Sequence, residues 1–402
     1  MTGVQTCALP ISRLDPGIAR FRCNSGRCTP VPDPEASRLA GSPVSLYPSF
    51  PWTADDQYRE IPPGITCGRC GGPCNVQACP VCHRDLPPNW RSATVFTMAV
   101  SGARGAGKSV YIAVLLYVLQ QYLQRGGRTI RPFTQATQQV YEERYERPLF
   151  KENRAMLGTP PMRAESGAYQ RDSMMWMITD PQSTIHLVIR DVAGEDIEKF
   201  AGNEAPLSYF SRADLVVFLF DSLRLPAMTQ ILAGIIPPVN QGRLGKSSSE
   251  VLPIVLGQMQ GGQTDFALAF SKFDAFHELP KADIEQYARV MGNPAAHFNR
   301  DETMTRPAGA GRAAEGRAWF QQDQEFLDQE IRSLFELIHE STVTLLAEQA
   351  VHGGRIRGVG HFAVSAVGET PPHDEQLTTR GISPFRVLDP LLWGLYRRGI
   401  ML

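Results

Sequence analysis

The sequence predicts an α/β protein: a mostly parallel sheet with helices on both faces, three layers in all, preceded by a small cysteine-rich module. Three observations carry that expectation. A glycine-rich loop at Gly102–Ser109 sits between an apolar strand and an apolar helix. Strands and helices alternate from residue 93 onward. Seven of the eight cysteines fall between Cys23 and Cys82.

In chain order, Thr2-Gly3-Val4-Gln5-Thr6-Cys7-Ala8-Leu9-Pro10 looks like a translated sequencing adapter, so residues 1–12, Cys7 included, are set aside. Residues 13–63 are rich in Pro, Ser and Gly without a sustained period, and 1–63 together read as a loosely structured N-terminal arm. The cysteine module occupies 64–90, and the α/β domain 91–402. Its strand candidates are 93–100, 173–179, 185–191, 214–221, 265–271 and 360–365. Helices fit at 110–124, where Ile112, Leu115, Leu116, Leu119 and Leu123 share one face, at 331–347 and at 387–397. Residues 275–330, with Ala308-Gly309-Ala310-Gly311 inside, read as a helical insertion between two core elements.

Lys+Arg is 40 against Asp+Glu 41, a net charge of -1, which gives no electrostatic case for a nucleic-acid binder. No apolar run is long enough to span a bilayer and no secretory signal is evident, so the reading is cytoplasmic, with no membrane partner.

Cys67-Gly-Arg-Cys70 and Cys79-Pro-Val-Cys82 are two C-x-x-C units with eight residues between them. Each offers two thiolates from a tight turn, and two such knuckles close a tetrahedral Zn²⁺ site. The expectation is a zinc ribbon whose structural Zn²⁺ is held by Cys67, Cys70, Cys79 and Cys82. Free thiols or a redox pair are the plain alternative. Cys23-x₄-Cys28 is placed to replace one knuckle or to contribute to a second site, and Cys74 remains unassigned.

Gly102-Ala103-Arg104-Gly105-Ala106-Gly107-Lys108-Ser109 fits G-x-x-x-x-G-K-[ST]. Glycines at this spacing turn backbone N–H groups inward around phosphates, Lys108 reaches the β- and γ-phosphates, and the Ser109 hydroxyl ligates Mg²⁺. Ala106 and Val110 complete the expected phosphate cradle at a helix N-terminus. Ile185–Asp191 is a strand that runs into Asp191-Val-Ala-Gly194: Asp191 is expected to hold Mg²⁺ and the Gly194 amide to sense the γ-phosphate. Asp265–Asp274 ends in Ser271-Lys272-Phe273-Asp274. A carboxylate there accepts from guanine N1 and N2, and the Lys272 stem lies over the base. His361–Ala366 ends in Ser365-Ala366, whose backbone faces the guanine O6.

With these four elements in this order, region 93–400 resembles a P-loop GTPase of the translation-factor and Ras-like class. Together with the cysteine module and the closing Arg386-Val-Leu-Asp-Pro-Leu-Leu-Trp393, it resembles the bacterial double-GTPase group of predicted conflict-system GTPases. The resemblance implies a P-loop NTPase sheet, GTP/GDP with Mg²⁺, slow hydrolysis and a nucleotide-dependent switch in a bacterial defence or signalling system. Protein partners would dock through the zinc ribbon or the switch loops. Lys108, Glu195 and Arg104 take the catalytic positions, and Thr159 is the candidate switch residue on Mg²⁺. Three departures stand out. Ser271 replaces the usual Asn or Thr. Glu195 stands where a water-orienting Gln is usual. Arg104, inside the loop, is either a cis arginine finger or a solvated side chain. Two rival readings are an ATP-binding P-loop enzyme and a non-hydrolysing, nucleotide-stabilised scaffold with a protein-binding zinc ribbon.

Overall fold

The computed structural model describes residues 17–41, 43–54, 60–88, 90–154, 156, 173–179, 184–200, 207–238, 245–294, 296–305, 313–371, 378 and 381–402. The described residues from 17 to 54 are more ordered than an arm. The strand β1 (Ile18–Arg22) is followed by the two-residue strands β2 (Val31–Pro32) and β3 (Ser45–Leu46) and by β4 (Ser49–Thr53). Within the cysteine module lie β5 (Ile65–Thr66), β6 (Pro73–Cys74) and β7 (Val76–Ala78). β1 is the centre of a three-stranded sheet, antiparallel to both β4 and β7. Ala19 and Phe21 alternate inward, and Arg22 reaches Asp85 and the carbonyls of Tyr47 and His83. Partners this distant leave no period in the local composition, which is why these residues read as loose.

Seven strands make the main sheet: β8 (Thr94–Gly102), β9 (Thr129–Pro132), β10 (Met174–Thr179), β11 (Thr184–Asp191), β12 (Leu215–Phe220), β13 (Asp265–Phe270) and β14 (Gly358–Ala363). Their order is β14-β13-β12-β8-β11-β10-β9. Every neighbouring pair from β14 to β11 is parallel, and β10 runs against both of its neighbours. β12 (LVVFLF) and β13 (DFALAF) are buried along their whole length, as strands covered on both faces are. Asp265 enters that interior with Arg397 Nε at 2.6 Å, Arg357 Nη1 at 3.5 Å and Arg398 Nε at 3.9 Å. The helix Lys108–Arg125 buries the stripe expected of it, Ile112, Leu115, Leu116, Leu119 and Leu123. Each such side chain contributes about 1.5–3 kcal/mol on leaving water. The helix expected at 331–347 is two helices, Ala313–Leu337 and Ser341–His352, broken where His339 adopts φ 62°. The first of them extends deep into the 275–330 segment, which also holds the short helices Glu285–Met291 and Glu302–Thr305. No helix among the described residues is long and apolar enough to cross a membrane.

Parallel strands finish at one edge of the sheet, so the C-terminal ends of β8, β11, β12, β13 and β14 bring their loops together there. Gly102, the last residue of β8, has φ 143°, and a Cβ on it would lie 2.6 Å from the Leu219 carbonyl oxygen of β12. Gly102→Ala is therefore expected to lower stability by roughly 2–3 kcal/mol. A urea midpoint equal to that of the parent would refute this account of the position.

Candidate functional site

The glycine loop leaves β8 with Gly105 and Gly107 in the left-handed region, φ 80° and 86°, and Gly107 opens the helix Lys108–Arg125. Lys108 is buried and folds back on its own loop, donating to the Gly102 carbonyl at 3.0 Å and the Ala103 carbonyl at 2.7 Å. Burial pulls its amine down to about 8, against the opposing pull of Asp191 and Asp221. One residue on, Ser109 Oγ donates to Asp191 Oδ2 at 2.8 Å, across from the neighbouring strand β11. Tyr145 Oη donates to the same oxygen at 3.1 Å. Tyr145 comes from a wide π-helical segment, Glu142–Lys151, and nothing in its charged surroundings singled it out in the sequence.

Gly194 packs on the loop so closely that a Cβ there would lie 2.6 Å from the Arg104 amide nitrogen. The next residue, Glu195, pairs with Arg104 at 2.6 Å, both half-exposed. Thr159 lies outside the described residues.

On the other side of the loop, Ser271 Oγ donates to the Phe220 carbonyl at 3.2 Å. Lys272, at φ 56°, donates to the buried Asp221 at 2.7 Å. Asp221 ends an apolar strand, the one signal by which the sequence could have marked it. Asp274 is buried, and that burial raises its carboxyl above the usual range. Ser365 Oγ donates to it at 2.5 Å and Thr370 Oγ1 at 3.4 Å. Ser365 is fixed in turn by paired backbone bonds with Phe385, at 3.0 and 2.8 Å. A cleft of about 190 Å³, partly open to solvent, joins these parts: Gly105, Ala106, Gly107 and Val110 on one wall, Ser271, Lys272 and Asp274 on another, Ser365 and Ala366 on a third. The structure thus gathers three of the four dispersed sequence elements around one space, while Lys108, Ser109, Asp191 and Gly194 are not among the residues that line it.

The cysteines divide differently from the expectation. Cys67 and Cys70 meet Cys23 and Cys28, with all four Sγ atoms within 4.8 Å of one another. Cys79 and Cys82 are not in that group: both are buried among the residues of the main core. Strand register is the reason. β7 pairs with β1 so that Val76 faces Arg22 and Ala78 faces Arg20. Cys23 therefore lies beyond one end of the pairing and Cys79 beyond the other, about four strand steps or ~13 Å apart. The Cys79 sulfur instead accepts from the amides of Val81 and Cys82, at 3.4 and 3.5 Å.

No family model matches the chain. Among curated proteins it is 32% identical over 362 residues, 90% of each chain, to a protein of Mycolicibacterium smegmatis described as "Putative ESX-1 scaffolding and assembly protein SaeC". This relative overturns the resemblance drawn from the motifs. The kinship runs to a scaffolding and assembly protein, not to the Ras-like or double-GTPase groups, and GTP hydrolysis as the chain's activity falls with it. So do the catalytic parts expected of Lys108, Glu195 and Arg104. The motifs misled because a glycine loop, two strand-end aspartates and a Ser-Ala turn are short local patterns, and such patterns are no statement of turnover. An assembly protein works through protein partners, as expected here, though the expectation had placed them on a GTPase.

Proposed function

We infer that this chain, which belongs to the family of the M. smegmatis scaffolding and assembly protein, is itself an assembly scaffold that serves an ESX-1 system, held in shape by a bound nucleotide that it does not hydrolyse. One observation carries the assembly role: the likeness covers 362 residues, 90% of both chains. The nucleotide part rests on the cleft. The left-handed glycines Gly105 and Gly107 and the buried Lys108 suit a phosphate chain, and the room between Lys272, Asp274 and Ala366 suits a base. Ser109 and Asp191, a hydroxyl and a carboxylate, are hard oxygen donors of the kind Mg²⁺ takes, and the ion would supply charge neutralisation to the phosphates.

Two measurements test the reading. Deleting the gene for this chain in its own host should leave ESX-1 components unassembled, judged by their co-purification, and intact assembly would sink the scaffold role. Nucleotide with Mg²⁺ at a hundredfold excess over its Kd should stabilise the purified chain by about 2.7 kcal/mol. Single-turnover assays should show no product. GTP and ATP are titrated separately, because Asp274 is the group in the cleft able to tell them apart. No thermal shift with either nucleotide removes the nucleotide part.

A further inference from the structure

We propose that Cys23, Cys28, Cys67 and Cys70 bind one Zn²⁺ through four thiolates, and that this ion staples the strand pair β1–β4 to the cysteine module. The spacing of the sulfurs carries it. Cys23 Sγ lies 3.7 Å from Cys70 Sγ, and Cys28 Sγ lies 3.8 Å from Cys67 Sγ. A tetrahedron built on Zn–S bonds of about 2.3 Å has S–S edges of about 3.8 Å. A disulfide needs about 2.05 Å. Apolar packing of thiols gives no reason for four sulfurs to converge on one point.

The surroundings fit thiolates. Ser25 places its hydroxyl 3.2 Å from both Cys23 Sγ and Cys70 Sγ, bridging the two loops at the sulfurs. Such a donor steadies metal-bound thiolates. The turn around Cys67–Gly72 is a tight knuckle, with the Gly71 amide donating to the Cys67 carbonyl at 2.9 Å and the Cys67 amide to the Gly72 carbonyl at 2.8 Å. Gly72 is required by the approach of the two loops, since a Cβ on it would sit 2.5 Å from the Ser25 Cβ. An all-sulfur, tetrahedral set selects a soft ion over Mg²⁺ or Ca²⁺, and four protein ligands leave no open position for chemistry. The ion is therefore structural. It ties together cysteines 39 positions apart in the chain, Cys28 and Cys67, across a three-stranded sheet too small to bury much apolar surface by itself. The inference does not depend on the nucleotide reading.

The test uses the full chain purified under reducing conditions. Elemental analysis should give about one zinc per chain, and Cys70→Ala should reduce that to a small fraction. Because Cys70→Ala risks unfolding the module, Cys28→His serves as the second variant: it should keep one metal, while the cobalt-loaded protein loses part of its thiolate-to-cobalt charge-transfer absorption. Cys82→Ala should keep both the stoichiometry and the parent spectrum. A folded, metal-free parent overturns the proposal. So does iron in place of zinc, a cobalt spectrum unchanged in Cys28→His, or zinc lost from Cys82→Ala but kept in Cys70→Ala.

Discussion

Lys108→Met is expected to abolish the nucleotide-induced stabilisation and, at the same time, to make the nucleotide-free chain more stable. Both effects come from one ammonium group in a buried place. Hydrogen bonds from a charged donor to phosphate contribute about 1.5–3 kcal/mol each, so affinity should fall roughly a hundredfold. Without ligand, the same charge is desolvated against the Gly102 and Ala103 carbonyls, and its pKa drops from 10.5 to about 8. The folded chain therefore binds fewer protons than the unfolded one between those values. Stability rises with pH across that window, and the penalty is fully present below about pH 8. Methionine removes it, a gain of about 3 kcal/mol at pH 7 that shrinks toward pH 10. Denaturation midpoints at the two pH values, with and without nucleotide, check both halves. A variant that binds nucleotide like the parent removes Lys108 from the phosphate site. One that loses stability at pH 7 contradicts the burial argument.

Arg386→Met should cost about 3–5 kcal/mol near pH 8. Arg386 is fully buried, and its Nη1 donates to Asp323 and Asp389, each at 2.8 Å, while its amide donates to Asp301. The neighbouring acids raise the guanidinium's pKa against the opposing effect of burial. Even with this partner, burial pushes Asp389 up to about 6 from 3.8. A raised carboxyl binds its proton more tightly in the folded chain, so its contribution to stability is present below about 3.8 and lost as the pH climbs through about 6. Without the guanidinium that rise moves higher. The loss in Arg386→Met should therefore be smaller at pH 5 than at pH 8. Equal losses at both, or a loss under about 1 kcal/mol, would show that the acids do not depend on it. Phe385 beside it holds Ser365 at the cleft, so nucleotide affinity should fall as well.

The chemistry of the cleft was legible because its residues sit at strand ends, where an apolar run stops and a few polar types follow. Gly102 to Ser109, Asp191, Ser271 to Asp274 and Ser365 all announce themselves in this way, and the sheet delivers them to one edge. The same motifs gave the wrong activity. A relative matched along nine-tenths of both chains weighs more than a few short motifs, because the shared length includes everything outside the site.

Local pattern alone settled the parallel core strands and the helix after the glycine loop. Tertiary structure decided which cysteines meet, what Asp191 touches and what the described residues from 17 to 54 become. Spacing in sequence reports which ligands leave one turn, as Cys67 and Cys70 do. It is silent on which second turn arrives, because antiparallel register between distant strands chose Cys23 and Cys28 over the nearer Cys79 and Cys82. Tyr145 reaches Asp191 for a similar reason: a π-helical turn re-aims a side chain that periodicity places nowhere in particular. Periodicity is a property of one element, and a site is made by the meeting of several.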